Sequence, residues 1–237
     1  MNQPGPRVAV YRAALGRVHD RIAAACARTG RDPIEVTLVA VSKTIPAEAL
    51  RDAVAAGIDL LGENRVQEGV AKAPDVPGAR WQLVGPLQSN KARRALDVFE
   101  SIQSVGSIEL AQRLDRLVPE ARPGSRYPIL IQVNVDQDPA KAGFQPDGLD
   151  EALGPLLALP HLAIRGLMTV GRLTADPAEA RRTFQDLRAL SERTRGRWPA
   201  LGPALSMGMS DDFETAVEEG ATIVRVGRAL FGERDHA

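Results

Sequence analysis

Eight short runs rich in valine, isoleucine and leucine alternate with longer amphipathic segments along most of the chain. This alternation is typical of β-α units arranged around a parallel sheet. The apolar runs predict strands near residues 36–41, 58–61, 81–85, 100–104, 129–135, 162–168, 204–207 and 222–226. The intervening segments predict helices near residues 46–56, 64–72, 89–97, 107–118, 147–158, 177–194 and 211–219. Three serines are the expected helix caps: Ser89, Ser107 and Ser210.

Eight strands and a length of 237 residues favour a (β/α)8 TIM barrel, which typically takes roughly 250 residues. An additional helix from about Val8 to Arg28 precedes the first strand, with Gly30 as its stop. No linker or low-complexity segment interrupts the pattern, so we predict one α/β domain over residues 1–237. A doubly wound open sheet is the alternative. It would usually carry a glycine-rich dinucleotide turn after the first strand, and residues 41–46 do not form one.

Charge and cysteine content argue against several classes of protein. The chain has 30 basic and 30 acidic residues, so we expect neither a nucleic acid nor a membrane surface as partner. No apolar stretch reaches the ~18 residues of a membrane span, and the N-terminus lacks the order of a secretory signal. The single cysteine, Cys26, cannot form an internal disulfide, so we expect a reduced, cytoplasmic protein. The sequence carries no signal for oligomeric state, and a monomer is the working expectation.

Lys43 directly follows the first predicted strand and is the residue that most suggests chemistry. A lysine at the end of a buried strand can lose its proton and form an imine with an aldehyde. Only four of the 30 basic residues are lysines, and arginine would serve a purely solvated role equally well. Taken alone, a solvated lysine that caps the strand is an equally good interpretation. In a barrel, however, the C-terminal strand ends meet at one mouth. We therefore expect a shared pocket lined by Lys43, Asn64, Gly85, Asn134, Met168, Ser206 and Arg225.

The ends of the last two predicted strands carry residues suited to a phosphate. Barrel phosphate sites are frequently built from these loops and the N-terminus of a short extra helix, which residues 228–231 can form. The hydroxyl of Ser206 can donate to such an anion, and Gly227 allows the backbone to approach it. The alternative is that Gly227 and Gly232 are only turn residues. For Ser210 we prefer the role of a simple helix cap.

Arg225 and Asn64 each leave two interpretations open. Arg225 lies inside an apolar run, where a guanidinium requires a partner. Pointing inward, it can face a ring nitrogen without protonating it, which makes the ring a weaker electron sink. Pointing outward, it would pair with a helix carboxylate. Asn64 is either a pocket residue or the cap of the next helix. The scattered histidines and the lone cysteine argue against a metal centre and a histidine-dependent nucleophile.

Taken together, the strand-end segments closely resemble those of the pyridoxal phosphate homeostasis proteins. The resemblance runs in the same order from about residue 8 to residue 233. It rests on Ala40-Val41-Ser42-Lys43-Thr44, Gly62-Glu63-Asn64-Arg65-Val66-Gln67-Glu68, Gly85-Pro86-Leu87-Gln88-Ser89-Asn90-Lys91, Gly166-Leu167-Met168, Leu205-Ser206-Met207-Gly208-Met209-Ser210 and Val224-Arg225-Val226-Gly227. Arg65 stands where an aromatic residue is common in the family.

The resemblance implies a barrel similar to the N-terminal domain of alanine racemase, without its C-terminal β domain. It implies pyridoxal 5′-phosphate (PLP) carried as an internal aldimine on Lys43. It also implies that Ser206, Gly227 and the backbone of Arg228 hold the phosphate and that Arg225 faces the pyridine nitrogen. Three residues are implied to line the ring: Asn64, Met168 and Met207.

Alanine racemase needs a second catalytic base, which it supplies with help from its C-terminal β domain. Only five residues follow Gly232, so we expect an open pocket without an opposed base. We therefore predict a PLP-binding protein that stores or delivers the cofactor, with PLP-dependent apoenzymes as recipients, and influences amino and keto acid balance. The alternatives are a PLP-dependent amino acid racemase and a cofactor-free Schiff-base aldolase that uses Lys43.

Overall fold

The computed structural model describes residues 5–171 and 176–232. Its eight parallel strands follow one another in chain order and close into a barrel, because the last strand pairs with the first. The strands are β1 (Thr37–Val41), β2 (Leu60–Glu63), β3 (Arg80–Leu83), β4 (Ser101–Val105), β5 (Tyr127–Gln132), β6 (Leu162–Met168), β7 (Ala204–Ser206) and β8 (Ile223–Val226). The predicted barrel and all eight predicted strands are confirmed, with ends that shift by a few residues.

Within the described residues, nine α-helices surround or extend the barrel. They are α1 (Pro6–Thr29), α2 (Ala47–Ala55), α3 (Val66–Lys72), α4 (Ala92–Val98), α5 (Ile108–Ala121), α6 (Leu149–Leu157), α7 (Pro177–Arg197), α8 (Phe213–Glu218) and α9 (Arg228–Phe231). Short 3-10 turns cover Pro33–Glu35, Ala73–Asp75, Ser89–Lys91 and Pro146–Gly148. No helix in this part of the chain is long and apolar enough to cross a membrane.

The three predicted caps behave differently from one another. Ser107 caps α5 as expected, because its hydroxyl accepts a hydrogen bond from the backbone N–H of Leu110 at 3.2 Å. Ser89 instead begins a 3-10 turn, and α4 starts only afterwards. The cap predicted at Ser210 is wrong, since α8 begins at Phe213 and the Ser210 hydroxyl is engaged elsewhere.

The extra helix α1 lies outside the barrel and packs against α2, α8 and α9. Gly30 ends it in a left-handed conformation with φ 68°, which confirms the predicted stop. The ring of Tyr11 meets the ring of Phe231 edge-on, with centroids 5.6 Å apart. The N-terminal helix therefore supports α9, the short helix that follows the last strand.

Strand alternation divides the buried side chains into two groups. Side chains that point outward, such as Leu61, join the apolar faces of the helices in the main core. Inside the barrel, Val39, Leu60 and Val84 form a smaller cluster. Gly62 also faces inward, because a Cβ atom there would come within 2.7 Å of Val39 Cγ1. The barrel interior is thus filled near β1 to β3, and polar groups occupy its other side.

Candidate functional site

Lys43 lies just beyond β1, at the edge where the first and last strands meet. Ala40 of β1 is paired with Val226 of β8, so Lys43 and Gly227 leave the barrel at the same end of adjacent strands. The next residue, Thr44, has a left-handed backbone with φ 69°, which is uncommon for a residue with a branched side chain. The chain therefore turns sharply as soon as it has placed Lys43 at the mouth.

A buried ion pair supports the turn that carries Lys43. The ammonium of Lys72 contacts the carboxylate of Glu63 at 2.8 Å, the backbone carbonyl of Ser42 at 3.0 Å and the carboxylate of Glu68 at 3.3 Å. These contacts satisfy all three of its N–H groups. Glu68 in turn accepts a hydrogen bond from the backbone N–H of Thr44 at 3.2 Å. Side chains of α3 thus fix the backbone on both sides of Lys43.

Glu63 is the most unusual member of this support. Its side chain is fully buried, accepts a hydrogen bond from the Ser42 hydroxyl at 2.8 Å, and leaves Oε2 without a hydrogen-bond partner in the structure. Burial raises the pKa of the Glu63 carboxyl, while Lys72 and Ser42 oppose this shift. Neither the Glu63 carboxylate nor the Lys72 ammonium faces the barrel interior. We therefore assign this pair the role of positioning Lys43.

Arg225 points into the barrel, which decides between its two interpretations. Its guanidinium donates to the Ser206 hydroxyl at 2.6 Å and to the Thr169 carbonyl at 2.7 Å, and its side chain is only 4% exposed. Burial lowers the pKa of Arg225 to about 10, and the nearby Asp212 carboxylate opposes this. Arg225 therefore stays protonated at neutral pH, and two of its five N–H groups are already used.

A chain of hydrogen bonds crosses the barrel interior from the opposite side to Arg225. Glu100 accepts from Gln82 at 3.0 Å, and Gln82 accepts from Gln103 at 2.6 Å. Gln103 accepts from the Ser206 hydroxyl at 2.6 Å, and Ser206 accepts from Arg225. The Ser206 proton is thus directed at Gln103. A phosphate contact from Ser206 stays a prediction that this geometry does not favour.

Gln103 was missed by the sequence-based interpretation. The available signal was a polar residue at an alternating position of the strand Ile102-Gln103-Ser104-Val105. Its amide is fully buried, and buried polar groups are costly unless they are hydrogen-bonded. The hydrogen bonds of Gln103 are therefore needed to keep this side of the barrel interior polar.

Ser210, for which the sequence favoured a helix cap, lies in the loop after β7 and contacts the turn after β8. Its hydroxyl accepts a hydrogen bond from the backbone N–H of Gly227 at 3.1 Å. Its own proton remains able to donate. Arg228 follows as the first residue of α9, where a backbone N–H has no acceptor within the helix. The Arg228 side chain points away and pairs with Asp211 at the surface. Ser210 and the backbone at residues 227–228 thus form a corner of donors.

The remaining predicted pocket residues fall into different environments. Asn64 directly follows β2 and lies one residue before the N-cap of α3, so it is not the cap of that helix. Met168 ends β6, is buried, and alternates with Leu167 of the main core, so it faces inward. Met207 belongs to the main core, and its contact with a ring stays a prediction without support from its packing. The Asn134 amide donates to carbonyls of its own loop at Asp138 and Lys141.

Gly85 brings two strand-end turns into direct contact. A Cβ atom at this position would lie 2.2 Å from the carbonyl oxygen of Asn64. The Gly85 carbonyl accepts a hydrogen bond from the Ser104 hydroxyl at 2.6 Å.

Lys141, whose role the sequence left open, donates to the Val170 carbonyl at 3.1 Å and lies 3.8 Å from an Asp136 carboxylate oxygen. In the described ranges, no group of three or more histidine, cysteine or carboxylate residues is arranged to bind a metal ion.

Comparison with known proteins identifies the family of this barrel. The family model for the alanine racemase N-terminal domain matches residues 14–235. The chain is 41% identical over 233 residues to the pyridoxal phosphate homeostasis protein of Escherichia coli (strain K12), covering 94% of this chain and 96% of that protein. It is 43% identical to the structure of PipY from Synechococcus elongatus PCC7942 with PLP bound, with a TM-score of 0.78 and coverage of 91% and 100%.

More distant structures share the fold alone. Alanine racemase from Clostridium difficile 630, in complex with cycloserine, is 16% identical with a TM-score of 0.68. The match covers 84% of this chain and 56% of the racemase. The family model and the close relatives together confirm the resemblance seen in the sequence. The chain therefore belongs to the alanine racemase N-terminal domain family and, within it, to the pyridoxal phosphate homeostasis proteins.

Proposed function

We propose that the chain binds PLP at the barrel mouth, with Nζ of Lys43 as the point of covalent attachment, and holds the cofactor for storage or delivery in the cytoplasm. The observation that carries this proposal is the meeting of Lys43, Arg225 and the donor corner at residues 210 and 227–228 where β1 adjoins β8. A relative that is 43% identical has a structure with PLP bound.

The residues present fit the chemical groups of PLP. The cofactor requires an amine for its aldehyde, donors for its phosphate and a partner for its ring nitrogen. Lys43 supplies the amine, and the Ser210 hydroxyl and the Arg228 backbone N–H supply the donors, while Gly227, whose own N–H donates to Ser210, lets the backbone approach the phosphate. We propose that Asn64 and Met168 line the ring. Ser206 contributes indirectly, through its hydrogen bond with Arg225, and Met207 contributes through packing in the main core.

Arg225 sets the electronic character of the proposed site. When bound, PLP supplies an aldehyde that condenses with amines and a ring that withdraws electrons. Arg225 would donate a hydrogen bond to the ring nitrogen and keep its own proton, because even its lowered pKa of about 10 lies well above neutrality. The electron-withdrawing power of the ring then stays modest, which suits a carrier better than a catalyst of proton abstraction.

The positions of the other bases also support a carrier. Racemisation needs a proton acceptor and a donor on opposite faces of the substrate. Both tyrosines lie away from the mouth: Tyr11 packs on α9, and Tyr127 begins β5 at the other end of the barrel with its hydroxyl on the Phe99 carbonyl. His161 also precedes its strand, β6. The relatives matched along nearly their whole length are named homeostasis proteins.

The decisive experiment is borohydride reduction of protein incubated with PLP, followed by peptide mass spectrometry. We expect a pyridoxyl adduct on Lys43 and a visible absorption band, both absent in Lys43→Ala. Lys91→Ala is the matched control and should keep both. A protein that takes up no PLP, or that carries it on another residue, would contradict the proposal. Conversion of L- to D-amino acids that is lost in Lys43→Ala would establish the racemase instead.

We further propose that the whole chain acts as one domain, as a monomer, and that PLP-dependent apoenzymes receive the cofactor, which links the protein to amino and keto acid balance. Light scattering should give a mass near 25.4 kDa. Transfer would be measured as recovery of activity by an apoenzyme mixed with PLP-loaded protein. A rate no faster than that given by equal free PLP would argue against direct delivery.

A further inference from the structure

A second cavity opens beside the proposed PLP site, between the β2–α3 turn and the β3–α4 loop. Its volume is about 490 Å³, which lies in the range of small-molecule sites. We call it the α3–α4 cleft. The side chains that bear on the argument are Asn64, Arg65, Gln67, Gln88 and Lys91.

The charge of the α3–α4 cleft is one-sided. Arg65 and Lys91 line it, and no lining residue is acidic. Within the described part of the chain, neither side chain has a hydrogen bond or an ion pair. Asn64, Gln67 and Gln88 add side-chain amides that can donate hydrogen bonds. The cleft thus offers two cations and several neutral donors to one occupant.

A third cation lies at the edge of the cleft. A smaller recess of about 180 Å³ shares Lys91 and Gln67 with it and adds Arg94. The preceding residue shows that this placement is selective, since Arg93 pairs with Asp97 at 3.0 Å and Glu120 at 3.5 Å. In a chain whose charges balance overall, this local excess of positive charge has no counterpart within the cleft.

The carboxylates that neighbour the lining residues in the sequence, Glu63 and Glu68, are engaged by other partners. Glu68 of α3 contacts Lys72 and the backbone of Thr44, and Glu63 lies beneath the same lysine. The walls of the cleft are also fixed, because Gly85 packs directly on the backbone of Asn64. The cleft is therefore preformed, and Arg65 and Lys91 both line it without an acidic side chain in its wall.

We propose that the α3–α4 cleft binds a small multivalent oxyanion, either a dicarboxylate or a phosphate. A guanidinium binds the two oxygens of a carboxylate or phosphate side by side, while a lysine ammonium adds a mobile point charge. The strand that leads to the cleft, β2, pairs with β1, so the occupant lies one strand away from Lys43. This inference does not require PLP on Lys43, and it stands or falls separately from the proposed function.

The test is isothermal titration calorimetry of the full-length protein at low ionic strength with two probes. Glutarate represents dicarboxylates and cannot react with an amine, and inorganic phosphate represents phosphates. We expect saturable binding of at least one probe, weakened by about tenfold for each cation removed in Arg65→Gln and Lys91→Gln. Arg93→Gln, with the same change of charge on a neighbouring surface, should bind as the unmodified protein does.

The same titration on Lys43→Ala protein separates the cleft from the PLP site, and we expect unchanged binding there. Binding of glutarate alone, of phosphate alone or of both supports the proposal, provided that Arg65→Gln and Lys91→Gln weaken it, and identifies the class of ligand. Heats that never saturate with either probe would overturn it. Phosphate binding that survives in the double variant Arg65→Gln/Lys91→Gln but is lost in Ser210→Ala would also overturn it, because the anion would then occupy the donor corner.

Discussion

Arg225 is tolerated inside the barrel because its neighbours accept hydrogen bonds in the required directions. An isolated buried guanidinium would be very costly, whereas Ser206 and the Thr169 carbonyl each satisfy one of its N–H groups. Ser206 accepts from Arg225 and directs its own proton at Gln103, so Gln103 fixes the orientation of the hydroxyl that Arg225 contacts. The orientation of the arginine therefore depends on an amide contributed by a strand on the other side of the barrel.

We predict that Gln103→Leu destabilises the protein by about 1–3 kcal/mol, the usual cost of leaving buried polar partners unsatisfied. The substitution removes the acceptor of Ser206 and the donor to Gln82. Urea denaturation of the PLP-free protein measures the change. Gln88→Leu, at an exposed position of the β3–α4 loop, is the control and should leave the free energy of unfolding nearly unchanged. Equal stability of both variants would show that the hydrogen-bond chain contributes little.

At the scale of elements, the sequence predicts strands better than it predicts helix starts. The strand β5 was expected to run to residue 135 but ends at Gln132. Val133 makes only an isolated bridge, and the Asn134 side chain organises the following loop. The helices expected from residues 89 and 147 begin instead with 3-10 turns. Apolar periodicity marks a buried segment, but the hydrogen bonding of its first turn depends on local contacts that periodicity does not encode.

The same limit applies to the candidate site. The ends of the strands predict that Lys43, Asn64, Met168 and Arg225 lie at the C-terminal mouth, because barrel topology brings all strand ends together. The direction of each side chain follows from register, which places Ser206 against Arg225 and Met207 in the core. The hydrogen bond between Ser210 and Gly227 joins residues 17 positions apart. No local pattern in the sequence could identify it.

Gly85 provides a prediction at this scale. Gly85→Ala should destabilise the protein by about 2–4 kcal/mol, because the new methyl group would lie 2.2 Å from the Asn64 carbonyl oxygen and neither backbone can move freely. Gly16→Ala is the matched control. Nothing lies within 4 Å of the added methyl group in the middle of α1, so we expect stabilisation by about 0.5–1 kcal/mol. Thermal unfolding of the two variants should therefore shift in opposite directions.

At the scale of the whole molecule, helix α1 packs on the outside of the barrel and supports the helices next to the proposed PLP site. Its residues pack on α8 and α9, which flank the donor corner formed by Ser210, Gly227 and the Arg228 backbone. The contact between Tyr11 and Phe231 fixes α9 against this helix. Because α9 has a single turn, it depends on such packing for its stability.

We predict that Tyr11→Ala lowers stability by about 3 kcal/mol, as expected for truncation of a buried aromatic side chain, and weakens retention of PLP. Denaturant titration gives the first quantity, and the PLP content after dialysis gives the second. Val10→Ala changes the preceding residue, whose side chain is 61% exposed, and should alter neither. Loss of stability in Tyr11→Ala without loss of PLP would show that α9 keeps its position independently of α1.

Closure of the barrel by β1 and β8 also has a consequence during synthesis. The ribosome makes Lys43 well before Arg225, Gly227 and Arg228, because β1 precedes β8 along the chain. A nascent chain that has emerged only as far as β7 presents the reactive amine without the partner strand that completes the proposed site. We therefore expect cofactor capture to be post-translational, so that incomplete chains released from stalled ribosomes would not sequester the vitamin.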